Sequence, residues 1–216
     1  MDRLTGTAED FVKDGVKLFL VYDFDGVFNV MCRNGTFKKT FYNPTHKERH
    51  PNPHYDYFHK KRLNGDRRYA KHPKSYELVW SDELVNDSNK LSNRDDVQVL
   101  WLTTWRHHMK DVSDRLDFTY ARKPYAFDWG VDERSSDHFA KIDAFEAFFK
   151  DFKNDSVGVV WADDVVHKSA DFVRKDVEKV SGLTDDNLLL LCPDDWYGIS
   201  RSEWDSVKAF SKKFLV

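Results

Sequence analysis

Residues 18–29 read Leu-Phe-Leu-Val-Tyr-Asp-Phe-Asp-Gly-Val-Phe-Asn, an apolar run that ends in two carboxylates one residue apart. The five apolar or aromatic residues at 18–22 are typical of a central parallel strand covered on both faces. Asp23 and Asp25 follow at positions i and i+2, so on an extended backbone they point the same way, and Gly26 allows a sharp turn. Asp and Gly are also common in a plain turn, but two acids aimed at one point favour a divalent cation.

The same scheme of an apolar run that ends in polar residues recurs three times. Further buried strands are predicted at 97–102, 157–161 and 188–191, and the first two end in Thr103-Thr104 and in Asp163-Asp164. Helices are predicted at 7–15, 81–90, 106–116, 138–149, 165–181 and 201–214, with short strands at 76–80 and 125–129. This order of strands and helices predicts an α/β fold, a Rossmann-like doubly wound parallel sheet.

Length and composition indicate a single domain over residues 1–216. The hydrophobic fraction is 40% and the charged fraction 33%, and no stretch approaches eighteen consecutive apolar residues. Residues 1–14 carry acids rather than the basic and apolar regions of a signal peptide. Cys32 and Cys192 are too few for a disulfide framework. We therefore expect no membrane association and a cytoplasmic location, the host cytoplasm if the chain is virus-encoded.

An insertion at 31–75, after the first strand, carries most of the positive charge. It holds twelve Lys and Arg against three acids, a net charge of +9, which leaves −12 for the rest of the chain. Its aromatic residues alternate with its basic ones, a composition suited to stacking bases and neutralising phosphates, although a small aromatic core under a solvated face is an equal alternative. Candidate substrate-binding residues in this insertion are Lys60, Lys61, Arg62, Arg67 and Arg68.

Locally, the insertion is predicted to be a flap or small cap. Two β-prone runs around Asn34-Gly35 predict a hairpin. Four prolines interrupt the remainder, which we expect to be irregular apart from a helix from about Tyr55 to Leu63.

The polar residues at the strand ends are expected to meet in one crevice. In open α/β sheets, ligands bind at the carboxyl ends of the strands. Lys141 joins them from the first turn of a helix, where a lysine is unusual because it opposes the helix dipole. Carboxylates suit Mg²⁺, an aspartate can attack phosphorus, and a hydroxyl with a lysine can hold phosphoryl oxygens. These parts together indicate phosphoryl transfer.

On these residues the chain resembles the haloacid dehalogenase (HAD) superfamily. The four motifs of that family are similar to Asp23-Phe-Asp-Gly-Val, to Thr103 after its apolar strand, to Lys141 and to Asp163-Asp164, in the family's order. The Trp-Leu-Thr-Thr-Trp segment and Gly198-Ile-Ser resemble small bacterial and phage-borne members, some of them linked with RNA repair. The resemblance covers 23–164, most of the chain.

The resemblance implies a role for each matching residue. Asp23 would be the nucleophile and a magnesium ligand. Asp25 would protonate the leaving oxygen and activate water, with its backbone carbonyl on the metal. Thr103 would bind the phosphoryl group, and Lys141 would neutralise the nucleophile and the phosphate. Asp163 would bind Mg²⁺ directly, with Asp164 beside it or acting through water.

Two assignments stay open at the sequence level. The fourth motif is a bare acidic pair, so Asp163 and Asp164 can exchange roles, and Thr104 can replace Thr103 if the strand ends one residue later. An acid at Asp25 favours a phosphatase, because dehalogenases lack it.

The function predicted from sequence is therefore that of a Mg²⁺-dependent phosphatase acting on a nucleotide or a nucleic-acid terminal phosphate. The alternatives are a small-metabolite phosphatase and a catalytically idle nucleic-acid or protein-binding module.

Overall fold

The computed structural model describes residues 1–30, 40–43, 48–51, 59–64, 75–127, 138–164, 177, 181–194 and 197–215. The strands in these residues are β1 (Asp2–Arg3), β2 (Leu18–Tyr22), β3 (Thr40–Asn43), β4 (Glu48–Pro51), β5 (His59–Asn64), β6 (Ser75–Trp80), β7 (Val97–Trp101), β8 (Tyr125–Ala126), β9 (Gly158–Ala162) and β10 (Leu188–Leu191). The helices are α1 (Ala8–Lys13), α2 (Asp82–Ser92), α3 (Met109–Leu116), α4 (His138–Phe148) and α5 (Arg201–Ser211), with a 3-10 turn at Arg106–His108.

Six of these strands form one sheet in the order β1-β8-β7-β2-β9-β10, and each neighbouring pair is parallel. From β2 the chain continues to β7 and β8 on one side, and later to β9 and β10 on the other. The strand order therefore reverses at β2, which lies between β7 and β9. The fold is a mixed α/β architecture compatible with the Rossmann-like class, in which such a reversal opens a crevice at the carboxyl end of the sheet.

Both faces of the sheet are buried. Leu18, Leu20 and Tyr22 belong to one hydrophobic cluster, which also holds residues of α2, α3 and α5. Phe19 and Val21 point to the opposite face and join a second cluster that includes residues of α1 and α4. Every residue of β2, β7 and β9 is buried, which explains why these strands read as continuous apolar runs rather than as alternating patterns.

The sequence predicted the main elements closely. The strands of the central sheet begin and end within one residue of the predicted bounds at β2, β7, β9 and β10, and α4 ends one residue earlier than predicted. The predicted helix at 165–181 lies almost wholly outside the described residues, as does the Asn34-Gly35 turn. No helix in the described part of the chain has the length and apolarity of a membrane span.

The insertion differs from its prediction. The helix from Tyr55 to Leu63 is wrong over its described part, because His59–Asn64 is a strand that pairs antiparallel with β6 over six residues. The segment is also less irregular than expected, since β3 and β4 form a second antiparallel pair. Lys and Arg favour helices when isolated, but pairing with a neighbouring strand overrides that preference.

The first half of the predicted Asn34-Gly35 hairpin is not a strand where the structure describes it. Residues 24–29 form a tight turn, in which the carbonyl oxygen of Phe24 accepts from the backbone N–H groups of Phe28 and Asn29 at 3.0 and 2.9 Å. Beyond the turn, the backbone N–H of Val30 donates to the carbonyl of Val79 in β6 at 3.0 Å. The turn thus joins the end of β2 to the β5–β6 hairpin.

Candidate active site

The carboxyl ends of β2 and β9 bring two acidic segments together. Tyr22 pairs with Ala162, and the backbone N–H of Asp23 donates to the carbonyl of Ala162 at 2.9 Å. Asp23 therefore leaves β2 beside Asp163, which leaves β9. This is the point where the strand order reverses.

Three carboxylates converge here. One oxygen each of Asp23, Asp163 and Asp164 lies within 4.8 Å of the others. Asp23 is only 5% exposed and Asp163 is fully buried. Burying charged carboxylates so close together is costly unless a cation compensates them.

Lys141 supplies part of that compensation. Its ammonium group donates to Oδ2 of Asp23 and, at 3.0 Å, to Oδ2 of Asp163. Burial alone would lower the pKa of Lys141, but the charges of the two carboxylates and their hydrogen bonds outweigh burial and raise it. One ammonium facing three carboxylates still leaves a formal excess of two negative charges.

Asp25 has different partners. Its Oδ1 accepts from the side-chain amide of Asn29 at 2.6 Å, and its Oδ2 accepts from the indole N–H of Trp105 at 2.7 Å. Burial raises the pKa of Asp25, the two hydrogen bonds partly offset this, and the nearby charge of Asp23 raises the pKa further. Burial thus makes the protonated carboxyl easier to reach near neutral pH, which suits a general acid.

Thr103 and Thr104 lie at the end of β7, and they differ in exposure. Thr103 is fully buried, and its hydroxyl accepts from the backbone N–H of Trp105 at 3.4 Å. Thr104 is exposed. The structure places both beside the crevice in sequence, but only Thr103 has its hydroxyl turned inward.

The predicted substrate-binding residues fall in two groups. Lys60, Lys61 and Arg62 lie in β5, where they pair with Val79, Leu78 and Glu77 respectively. Arg67 and Arg68 lie outside the described residues. The hairpin is attached to the site, because Val79 contacts both Asn29 and Val30 through its backbone.

The acidic group fits a hard divalent cation. Mg²⁺ takes oxygen ligands, usually one or two carboxylates together with water and substrate phosphate. Asp23, Asp163 and Asp164 offer carboxylate oxygens at this spacing and carry uncompensated charge. The carboxylate of Asp25, which the sequence placed among the metal ligands, is instead bonded to Asn29 and Trp105.

Sequence reasoning missed Asn29 and Trp105 as site residues. Asn29 is buried and ends the turn that follows Asp25, and Trp105 comes directly after the Thr-Thr pair. Their positions next to the quoted motifs were the available signal. Their hydrogen bonds to Asp25 depend on how the two loops meet, which local patterns do not encode.

Comparisons of the chain with protein-family models, with curated proteins and with solved structures find no match. The fold and the site define a class all the same: an α/β protein with a six-stranded parallel sheet and an acidic, lysine-bridged cluster at its carboxyl edge.

Proposed function

We propose that this chain is a Mg²⁺-dependent phosphatase of the haloacid dehalogenase type. The observation that carries the proposal is the convergence of Asp23, Asp163 and Asp164 within 4.8 Å, bridged by Lys141, at the carboxyl ends of β2 and β9. A nucleophilic carboxylate, a lysine and spare acidic ligands are what transfer of a phosphoryl group through an aspartyl-phosphate requires. Their four positions also match the motif order noted in the sequence.

The proposed reaction has two steps. In the first, a carboxylate oxygen of Asp23 attacks phosphorus, the bond from phosphorus to the ester oxygen breaks, and Asp25 gives its proton to that oxygen as the alcohol leaves. In the second, Asp25 takes a proton from water, the water oxygen attacks phosphorus, and the carboxylate of Asp23 is released with inorganic phosphate.

Lys141 acts on charge throughout this reaction. Its contact with Asp23 restrains the nucleophile, and its position near the transferring group lets it neutralise phosphoryl oxygens. Thr103 is the hydroxyl proposed to bind the phosphoryl group. A bound Mg²⁺, held by Asp23, Asp163 and Asp164, would supply further neutralisation of the phosphate charge.

The proposed substrate is a nucleotide or a phosphorylated nucleic-acid end. The support is the charge of +9 in the insertion, part of which is carried by β5, a strand attached to the turn that holds Asp25. A polyanion binds such a surface by releasing counterions. A small-metabolite phosphatase uses the same chemistry without this surface.

The test is release of phosphate from 3′- and 5′-phosphorylated oligonucleotides, mononucleotides and sugar phosphates, with and without Mg²⁺. We expect Asp23→Asn to lower Mg²⁺-dependent turnover by on the order of a thousandfold or more, as loss of a nucleophile does. Asp205→Asn is the matched control, because Asp205 is an exposed acid of α5 that pairs on the surface with Lys208. Equal activity of Asp23→Asn and wild type, or no turnover on any substrate class, would refute the proposal.

A further inference from the structure

Both oxygens of Asp25 are held from different parts of the chain. The amide nitrogen of Asn29, four residues away, donates to Oδ1, and the indole nitrogen of Trp105, eighty residues away, donates to Oδ2. Each carboxylate oxygen has a second lone pair, so the carboxyl can still carry a proton while both bonds are present.

The orientation of Asn29 is itself fixed. Its Oδ1 accepts from the backbone N–H of Val79 at 2.8 Å, and a backbone N–H can only donate. The oxygen of the amide must therefore face Val79, and the NH₂ group must face Asp25. Asn29 is only 5% exposed, so water does not compete for this amide.

The position of Trp105 is fixed by packing. Its ring lies edge-on to that of Phe24, which is fully buried, with 5.7 Å between ring centroids. Edge-to-face pairs of this kind are favourable beyond the area that they bury. The indole N–H thus reaches Asp25 from a ring that has little freedom to turn away.

We propose that Trp105 and Asn29 are positioning residues that hold the Asp25 carboxyl in the one orientation from which it delivers its proton to the leaving oxygen. This inference rests on the proposed phosphatase function and adds residues that the motif resemblance does not assign. Correct placement of a general acid is worth about a hundredfold or more in rate, and small displacements forfeit much of it.

The dependence of rate on the leaving group tests this role. An alkyl phosphate, such as glycerol phosphate, needs its leaving oxygen protonated, whereas p-nitrophenyl phosphate leaves as a stable phenolate. We expect Trp105→Phe to lower kcat/KM for the alkyl ester by about tenfold or more and for the aryl ester by less than about threefold. The ratio kcat/KM isolates formation of the aspartyl-phosphate, so slower hydrolysis of that intermediate does not obscure the result.

Trp80→Phe is the matched control. Trp80 is also buried, and its indole N–H also donates to a carboxylate, that of Asp82 at 3.0 Å, away from the acidic cluster. This variant loses the same kind of bond and the same ring area. We expect its kcat/KM values for the two esters to change by the same factor.

A second replacement keeps the shape of the ring. Substituting the indole of Trp105 by benzothiophene exchanges the N–H for sulfur and retains the packing against Phe24. We expect the same selective loss on alkyl esters from this variant.

Equal slowing of both esters in both Trp105 variants would overturn the positioning role and leave the phosphatase proposal standing. Absence of Mg²⁺-dependent turnover by the wild-type chain would overturn both proposals.

Discussion

At the scale of single residues, Gly26 shows how closely the backbone approaches the acidic cluster. Its φ of +71° lies in the left-handed region, and a Cβ at this position would lie 2.5 Å from Cγ of Asp164. Glycine is therefore required twice, for the backbone conformation and for the space that Asp164 occupies. The turn after Asp25 and the placement of Asp164 depend on one another.

We expect Gly26→Ala to weaken Mg²⁺ binding by about tenfold, because the new methyl group displaces Asp164 from the other two carboxylates. Isothermal titration with Mg²⁺ measures this directly. Gly15→Ala is the control: Gly15 has a φ of +92°, and a Cβ added there would meet no described atom within 4 Å, so this variant carries the backbone strain without the clash. Both variants should lose about 1 kcal/mol or more of unfolding free energy. Equal Mg²⁺ affinities of the two variants would contradict this account.

At the scale of elements, β5 is the clearest case of a segment decided by its partner. Lys60, Lys61 and Arg62 were predicted on a helix, yet they occupy successive positions of a strand paired with β6. The same β6 contacts Asn29 through the backbone of Val79. The basic segment is therefore built onto the strand that supports the turn around Asp25.

We expect replacing Lys60, Lys61 and Arg62 by Gln to weaken binding of a phosphorylated oligonucleotide, and to make its salt dependence shallower by about 0.7 per lost phosphate contact on a log–log plot. Affinity measured over a series of salt concentrations gives this slope.

The control removes three positive charges elsewhere, by replacing Lys13, Lys110 and Lys208, three exposed lysines of α1, α3 and α5. This variant has the same net charge as the test variant. If both variants lose affinity equally, the effect is one of net charge, and β5 is not the binding surface.

At the scale of the whole molecule, the C-terminal segment is packed onto the centre of the sheet. Gly158 begins β9 and pairs with Leu18 of β2, and a Cβ there would lie 2.5 Å from Cδ2 of Phe214. The ring of Phe214 is 8% exposed and lies 5.1 Å from that of Phe210 in α5. One absent side chain on a central strand thus makes room for the end of the chain.

We expect Gly158→Ala to lower the free energy of unfolding by about 1–3 kcal/mol, because the methyl group overpacks against Phe214. Urea denaturation of Gly158→Ala, Phe214→Leu and the double variant measures the coupling between the two sites. The smaller side chain of Leu should relieve the clash, so the double variant should be more stable than the sum of the single effects by about 0.5 kcal/mol or more. Strictly additive effects would show that the two residues do not compete for space.

The sequence by itself determined the central sheet and the acidic residues at its edge. The buried strands are continuous apolar runs, and Asp23, Lys141, Asp163 and Asp164 stand at strand or helix ends, so periodicity and position were enough to predict them. Such signals are local, since each element carries its own pattern of burial.

Only the tertiary structure decided what surrounds Asp25 and what the basic segment becomes. The bond from Trp105 spans eighty residues and that from Val79 to Asn29 spans fifty, and β5 is a strand because β6 pairs with it. The physical reason is the same in each case: a polar group satisfied by a distant partner leaves no periodic trace in its own segment.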